Sequence, residues 1–252
     1  MTSLPATDLA SVRAVEVVTP ARLHLGMLSF GSPLVRSYGG LGVMIDRPAV
    51  RLKLESADRI VGSGPLADRV EAFARSCAAA WRLEAGCRIE VLEAPASHAG
   101  LGSGTQLALA VAAGVRRLYR LDAVAERDAG AGVVPGAGQA ADAQARGRFT
   151  AEEAVAMARV VGRGRRSSVG VYGFAGGGLI LEGGRIAAGI PGDEDDATRP
   201  FSPLLVRAHV PEAWRCVLFL LRDSSGLHGE AEKQAFRTLP PVPVDVTEKL
   251  AR

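Results

Sequence analysis

Hydrophobic and polar residues alternate along parts of the chain with the period of two that is typical of strands. Val50, Leu52 and Leu54 are interleaved with charged residues, which predicts a strand with one buried face. Comparable apolar patterns predict strands over residues 12–18, 89–91 and 214–221, the last of them buried. A loop at residues 19–22 is expected to follow the first of these strands.

Apolar residues spaced three and four positions apart predict helices. Five of them form a single stripe, namely Leu66, Val70, Phe73, Cys77 and Trp81, on a helix that Gly86 is expected to end. Residues 106–118 are rich in Ala, Leu and Val and predict a buried helix, while residues 230–238 predict another.

Turn-forming residues separate these elements. Thr150 and Glu153 have the spacing of a capping box, which predicts a helix that runs to about residue 161. A β-hairpin is predicted from residues 169–174 and 179–181, with a tight turn at Gly183-Gly184. The Ala/Gly-rich stretch 123–148 is interpreted as an insertion, and residues 192–200 as a polar loop. Intermixed helices and alternating strands predict an α+β fold rather than a doubly wound parallel sheet.

Composition supports a folded protein with a substantial core. The 252 residues are 48% hydrophobic and 23% charged, which is enough for one large domain or for two that share a cleft. Only 5% of the residues are aromatic, so Ala, Val and Leu must build the core. Trp81 and Trp214 are expected to be its largest side chains.

The charge and the cysteines exclude several classes of protein. A net charge of +3 without a dense basic tract argues against nucleic-acid binding. Cys77, Cys87 and Cys216 are scattered and fit no metal or redox motif, so we expect buried free thiols in a reducing cytosol. Because no signal peptide or membrane-spanning run appears, we expect a soluble cytoplasmic protein without a membrane partner.

The sharpest local feature is a glycine-rich loop that leads directly into the predicted buried helix. Gly100, Gly102 and Gly104 allow backbone N–H groups to approach an anion, and the helix start adds unpaired donors. Ser103 and Thr105 can add hydroxyl groups, cap the helix or hold a phosphate-bound Mg²⁺. The loop is neither a Walker A motif nor a Rossmann fingerprint. The alternative is that the glycines only form a tight turn into the helix.

Arginines and histidines supply the remaining candidate chemistry. Arg163, Arg165 and Arg166 lie among small residues where a binding loop is expected, although a solvated charged turn is equally consistent. The candidates for general acid or base are His24, His98 and His228, each of which has a structural role as its alternative. Asp46 and Glu230 are the carboxylates considered for Mg²⁺.

Two of these stretches have a family resemblance. Residues 20–26, Pro-Ala-Arg-Leu-His-Leu-Gly, resemble the first motif of the GHMP superfamily of small-molecule kinases. Residues 98–105 resemble its second, phosphate-binding motif, in which the kinases usually have Gly-Leu-Gly-Ser-Ser where this chain has Gly-Leu-Gly-Ser-Gly. That departure is similar to the β-ribofuranosylaminobenzene 5'-phosphate synthases, as are residues 162–167, 174–178 and 226–229, with Glu232 and Phe236 following. The likeness extends from about residue 15 to residue 236.

The resemblance implies a transferase rather than a kinase. That family condenses 4-aminobenzoate with 5-phosphoribosyl 1-diphosphate and releases CO2 and diphosphate, in the biosynthesis of tetrahydromethanopterin. It implies Mg²⁺ as the cofactor, a homodimer, and a two-layer GHMP-like fold. In that fold a ribosomal-protein-like N-terminal domain covers residues 12–165, and residues 166–252 begin a C-terminal domain.

The candidate site follows from the motifs and the resemblance together. The candidate catalytic residues are Arg22, His24 and His98, with Arg22 expected to hold a carboxylate. The expected phosphate- and substrate-binding residues are Gly100, Leu101, Gly102, Ser103, Gly104, Thr105, Arg163, Arg165, Arg166 and His228. Thr105 and Asp46 are the candidate metal ligands.

Two alternatives stay open at this level. One is a GHMP-type kinase that uses ATP on a small alcohol, against which the Gly104-Thr105 pair and the three arginines argue. The other is a fragment that binds a ligand without catalysis, because we find no third glycine-rich motif before Arg252.

Overall fold

The computed structural model describes residues 14–29, 36–96, 99–121, 149–165, 167–186, 200–220, 226 and 229–250. Its strands are β1 (Ala14–Ser29), β2 (Arg36–Ala57), β3 (Val61–Ser63), β4 (Gly86–Glu93), β5 (Leu179–Glu182), β6 (Arg185–Ile186) and β7 (Leu204–Ala208). Its helices are α1 (Ala67–Trp81), α2 (Ser103–Leu118), α3 (Ala151–Val160), α4 (Val169–Gly176), α5 (Gly229–Thr238) and α6 (Val244–Leu250).

Strand β2 organises the sheet because its length allows it to pair with several partners. It runs antiparallel to β1 along most of its length, and its last third, residues 51–57, also pairs with β4. Its earlier half pairs with β5 and β6, β7 extends the sheet beyond β5, and β3 lies parallel to β4. The mostly antiparallel sheet with helices confirms the predicted α+β class.

Helix α2 forms the centre of the core. Most of its residues are buried, and it contacts β1, β2, α1, α3 and α4. Gly114 allows the close approach to the sheet, because a Cβ at this position would lie 2.5 Å from a methyl carbon of Leu54. The buried helix predicted for residues 106–118 is confirmed and begins three residues earlier, inside the glycine loop.

Most predictions from periodicity are confirmed. Helix α1 has its apolar stripe, β2 and β4 have alternating burial, and α5 covers residues 229–238. At the start of α3 both capping-box hydrogen bonds form between Thr150 and Glu153. The predicted insertion 123–148 and most of the polar loop 192–200 lie outside the described residues.

Three predicted boundaries are wrong. Strand β1 continues through the predicted loop at residues 19–22, because a register shift between Thr19 and Ala21 accommodates the proline that separates them. Helix α1 ends at Trp81, with Arg82 in the left-handed conformation, while Gly86 begins β4. The predicted hairpin does not form, since residues 169–176 are helix α4 and both β5 and β6 pair with β2. A helix that is apolar on all sides has no periodicity that distinguishes it from a buried strand.

The predicted buried strand at residues 214–221 is also wrong. Residues 214–220 have no regular secondary structure, and Trp214 and Phe219 are 71% and 92% exposed. Trp81 packs against the core as predicted, but Trp214 does not belong to it. Cys77 and Cys87 are buried free thiols, whereas Cys216 is exposed. Among the described helices none is long and apolar enough to cross a bilayer.

Candidate anion-binding site

The glycine loop leads into the start of α2, where Ser103 is buried and Gly104 and Thr105 are half-buried. Gly100 and Gly102 have φ angles of +74° and +64°, which favour glycine. The carbonyl of Gly102 accepts hydrogen bonds from the N–H groups of Thr105 and Gln106, and no side chain caps the helix. The earliest N–H groups of α2 therefore point out of the helix without intrahelical acceptors, at the positive end of its dipole.

Strand β1 brings the first motif against this loop. The backbone N–H of Arg22 donates to the carbonyl of Leu101 at 2.9 Å. The Arg22 side chain lies against Gly102, where a Cβ would be 3.0 Å from its Nε atom. The structure thus brings together the two stretches that resemble superfamily motifs, although they are some eighty residues apart in sequence.

Helix α1 contributes an arginine that the sequence analysis missed. A Cβ on Gly104 would lie 2.9 Å from a terminal nitrogen of Arg69, so this guanidinium lies beside the first turn of α2. Four residues later on α1, the ring of Phe73 lies 5.1 Å from the guanidinium carbon of Arg163. Arg69 belongs to no motif, and only the packing of α1 beside α2 reveals its position.

The arginines from distant parts of the chain affect one another. Burial lowers the pKa of Arg163, and the charges of Arg69 and Arg165 lower it further. In the part of the chain that the structure describes, no carboxylate forms an ion pair with Arg69 or Arg163, and the buried Nε of Arg163 has no hydrogen-bond partner. Grouped cations of this kind favour an anionic ligand.

The side chain of His24 contacts that of Arg22 and is neutral near pH 7. Its Nδ1 atom accepts a hydrogen bond from Arg22 Nη1 at 2.9 Å, which places the proton of the neutral ring on Nε2. Burial and the Arg22 charge lower the pKa of His24 to about 4, against a smaller opposing effect from the backbone of Gly26. The imidazole is therefore suited to orient Arg22 rather than to carry a positive charge near neutral pH.

The other predicted residues are placed differently. Leu101 is buried, Ser103 begins α2, and Thr105 lies half-buried in its first turn. Arg165 is half-buried, whereas Arg166, His98 and His228 lie outside the described residues. Asp46 is exposed on β2, and Glu230 is exposed on α5. Within the described residues no group of three or more His, Cys, Asp or Glu side chains could hold a metal ion.

Comparison with known proteins finds similar sequences that share one name. No family model matches the chain. It is 27% identical over 231 residues to the β-ribofuranosylphenol 5'-phosphate synthase of Archaeoglobus fulgidus, and 26% identical over 247 residues to the protein of the same name in Methanothermobacter thermautotrophicus. These matches cover 90% and 92% of the chain. Over most of its length the chain is therefore similar to β-ribofuranosylphenol 5'-phosphate synthases.

The match covers only part of those synthases. The chain spans 63% of the length of the Archaeoglobus protein and 66% of the Methanothermobacter protein. Among solved structures, it is similar to a 4-(cytidine 5'-diphospho)-2C-methyl-D-erythritol kinase, with a TM-score of 0.43, 20% identity, and coverage of 66% of this chain and 51% of the kinase. A homoserine kinase from Cytophaga hutchinsonii matches with a TM-score of 0.41, 16% identity, and coverage of 72% and 50%.

Proposed function

We propose that the chain binds 5-phosphoribosyl 1-diphosphate and transfers its phosphoribosyl group to a 4-substituted benzoate, with loss of CO2 and diphosphate. The observation that carries this proposal is the convergence of the α2 start with Arg22, Arg69 and Arg163, which come from three different elements. A substrate with both a diphosphate and a 5'-phosphate needs more than one anion-binding group. Helix starts and arginine guanidinium groups are two such groups that proteins use.

The expected bond changes are balanced without an oxidant or reductant. The ring carbon that bears the carboxylate forms a bond to the anomeric carbon of the ribose. The bond between the anomeric carbon and diphosphate breaks. The bond to the carboxylate then breaks, CO2 leaves, and its electron pair restores the aromatic ring. Positioning of the two substrates and stabilisation of the leaving diphosphate would account for most of the catalysis.

We assign each charged group of the two substrates to the residues nearest to its expected position. We assign the diphosphate to the N–H groups at the start of α2 and to Arg69, because both lie beside Gly104. The 5'-phosphate is assigned to Arg163 and Arg165. Arg22, oriented by His24, is assigned to the carboxylate of the aromatic substrate. His98, His228 and Arg166 retain their proposed roles in catalysis and substrate binding.

Mg²⁺ is proposed as the cofactor and would be held mainly by the diphosphate. The described residues at the loop offer hydroxyl groups on Ser103 and Thr105 but no carboxylate cluster, which suits an ion that retains water and phosphate ligands. Thr105 remains the proposed protein ligand, with Asp46 a second. The ion would supply positive charge to the leaving diphosphate.

Two aromatic acceptors, 4-aminobenzoate and 4-hydroxybenzoate, fit this chemistry. The resemblance implies 4-aminobenzoate, whereas the relatives are named for a ribofuranosylphenol product, which corresponds to a hydroxyl group at the same ring position. Both substituents donate electrons to the attacking carbon, so the chemistry is the same for either. A direct competition between 4-aminobenzoate and 4-hydroxybenzoate identifies the preferred acceptor.

Calorimetric titration is the first test of the proposed function. With Mg²⁺ present, 5-phosphoribosyl 1-diphosphate should bind and ATP should not, and adding carboxyl-labelled acceptor should release labelled CO2. Binding of ATP alone would favour the kinase, and binding of neither would leave a non-catalytic fragment. The variants Arg163→Ala and Arg165→Ala should each weaken binding of the phosphoribosyl substrate about tenfold, since each removes a charge-assisted contact.

A location in the cytoplasm and a homodimer are further proposals. Burial raises the pKa of Cys77 to about 12 and that of Cys87 to about 11, so both thiols are unreactive, as suits a reducing compartment. Light scattering on the purified chain would measure the oligomeric state.

A further inference from the structure

Two buried charged residues hold the segment that carries the candidate phosphate-binding arginines. We define residues 162–168 as the arginine segment. Glu182 ends β5 and is fully buried, and Arg185 begins β6 with 6% of its surface exposed. Both side chains reach this segment rather than solvent.

Glu182 anchors the end of the arginine segment. Its Oε1 atom accepts a hydrogen bond from the backbone N–H of Ser168, the residue before α4, at 3.0 Å. Burial raises the pKa of Glu182, while the hydroxyl groups of Ser202 and Ser167, the Ser168 N–H and the Arg185 charge lower it by smaller amounts. The carboxyl group therefore has a specific attachment to the end of the segment.

Arg185 anchors the middle of the same segment. Its Nη2 atom donates to the carbonyl of Gly164 at 2.8 Å, and its guanidinium carbon lies 5.5 Å from the centre of the Phe201 ring. Phe201 packs so closely against Gly164 that a Cβ there would overlap the ring. Gly164 also has a φ angle of +76°, so this position requires glycine for both reasons.

This arrangement holds the backbone that follows Arg163, while the N–H of Arg163 itself donates to the carbonyl of Ala158 in α3 at 2.7 Å. Gly164 lies between Arg163 and Arg165, and the two anchors hold the backbone at Gly164 and Ser168. Arg163 then reaches the ring of Phe73, next to Arg69 and the glycine loop. A buried ionisable side chain loses its hydration, which offsets the free energy that its contacts contribute to folding. Apolar residues of similar size often give a protein equal stability, so stability alone does not explain Glu182 and Arg185.

We propose that Glu182 and Arg185 are positioning residues that hold Arg163 and Arg165 in the geometry needed to bind the 5'-phosphate of the phosphoribosyl substrate. This inference rests on the proposed function, and neither side chain is assigned a contact with substrate. Their effect reaches the ligand through the backbone of the arginine segment.

The test is a double-mutant cycle between Arg185→Lys and Arg163→Ala in the full chain. A lysine keeps the charge but cannot both bond to Gly164 and stack on Phe201. Arg185→Lys should raise the KM for 5-phosphoribosyl 1-diphosphate about tenfold, with kcat changed less than about threefold. In the Arg163→Ala background the same substitution should have a smaller further effect, because one of the two arginines that it positions is already missing.

A control is available on β7. Arg207 is exposed but also donates to a backbone carbonyl, that of Tyr172 on α4, at 2.7 Å, and no hydrogen bond joins it to the described residues of the arginine segment. Arg207→Lys should leave the KM unchanged. The positioning role would be overturned if Arg207→Lys raised the KM as much as Arg185→Lys does. Additive effects of Arg185→Lys and Arg163→Ala on the KM would overturn it as well.

The remaining outcomes separate this inference from the proposed function. If Arg163→Ala leaves the affinity for the phosphoribosyl substrate unchanged, the assignment of the 5'-phosphate fails and the positioning role fails with it. If Arg163→Ala weakens binding but Arg185→Lys does not, only the positioning role fails. If Arg185→Lys does not fold, Glu182→Met decides by the same cycle, because a methionine of similar length cannot replace the carboxylate oxygen as acceptor for the Ser168 N–H, and the KM should rise while kcat is retained.

Discussion

The glycine loop starts α2 with hydrogen bonds among its own residues, whereas the middle and the end of the arginine segment are held by residues far along the chain. Gly100 and Gly102 adopt left-handed conformations, and the hydrogen bonds that start α2 all lie within the loop and the helix. The arginine segment begins with the local hydrogen bonds of Gly162 and Arg163 at the end of α3. Its middle and its end are instead held by Glu182, Arg185 and Phe201. Both parts belong to one candidate site and both were proposed from the sequence, but only the conformation of the first follows from its local motif.

This difference shows how the two kinds of anion-binding group are specified. Backbone N–H groups at a helix start need only a tight turn and the helix itself, and both are local properties. Guanidinium groups sit on long flexible side chains, so their position depends on the backbone below them and on what packs around them. The following predictions test this comparison, from the largest expected effect to the smallest.

The largest effect is expected in the glycine loop. Gly102→Val places a β-branched residue at a φ angle of +64°, with its Cβ only 3.0 Å from Arg22 Nε. We expect binding of 5-phosphoribosyl 1-diphosphate, measured by calorimetry, to weaken about a hundredfold, because the helix start and Arg22 are both displaced. Gly26→Ala is the control, since a Cβ at Gly26 meets no atom within 4 Å. Similar losses in both variants would contradict a specific role for the loop.

A smaller effect is expected at Arg69, which joins the two parts of the site. Arg69→Ala should weaken binding about tenfold, because one charge-assisted contact to the diphosphate is lost. The unfolding temperature of the ligand-free protein should not fall, since the substitution also relieves repulsion with Arg163. Arg75→Ala is the control on the same helix, because Arg75 is exposed and pairs with Glu71. A loss of stability without a loss of affinity would show that Arg69 has a structural role only.

The smallest effect concerns His24 and appears as a dependence of stability on pH. The folded pKa of His24, about 4, lies below the ordinary value of 6.5, so the unfolded chain binds more protons between these values and stability falls as the pH drops through that window. After allowance for solvent screening, we expect a loss of about 1 kcal/mol between pH 7 and pH 5 from this residue.

The variant His24→Gln should lose less stability between pH 7 and pH 5, because the contribution of His24 is removed. The free energy of unfolding, measured with urea at pH 7 and at pH 5, checks this. His209→Gln is the control, because His209 is exposed and lies outside this group of residues. The prediction fails if the two variants lose the same stability between pH 7 and pH 5.

Regular periodicity allowed much of the fold to be predicted. The stripe on α1, the alternation in β2 and β4, and the capping box of α3 each determine their element locally. Helix α4 and residues 214–220 were predicted wrongly, because a short apolar run does not reveal whether it will be helix, strand or exposed chain. The division into domains at about residue 165 and the roles of His98, Arg166 and His228 stay predictions.

The sequence by itself determined the glycine loop, the helix that follows it and the α+β class, since each depends on nearest neighbours or on a repeating pattern. Only the tertiary structure decided that Arg22 lies against Gly102, that Arg69 reaches the same loop, and that Glu182 and Arg185 hold the arginine segment. The physical reason is that each of these contacts joins residues distant in the chain. Their proximity follows from how β2 pairs with its neighbours and how the helices pack on the sheet.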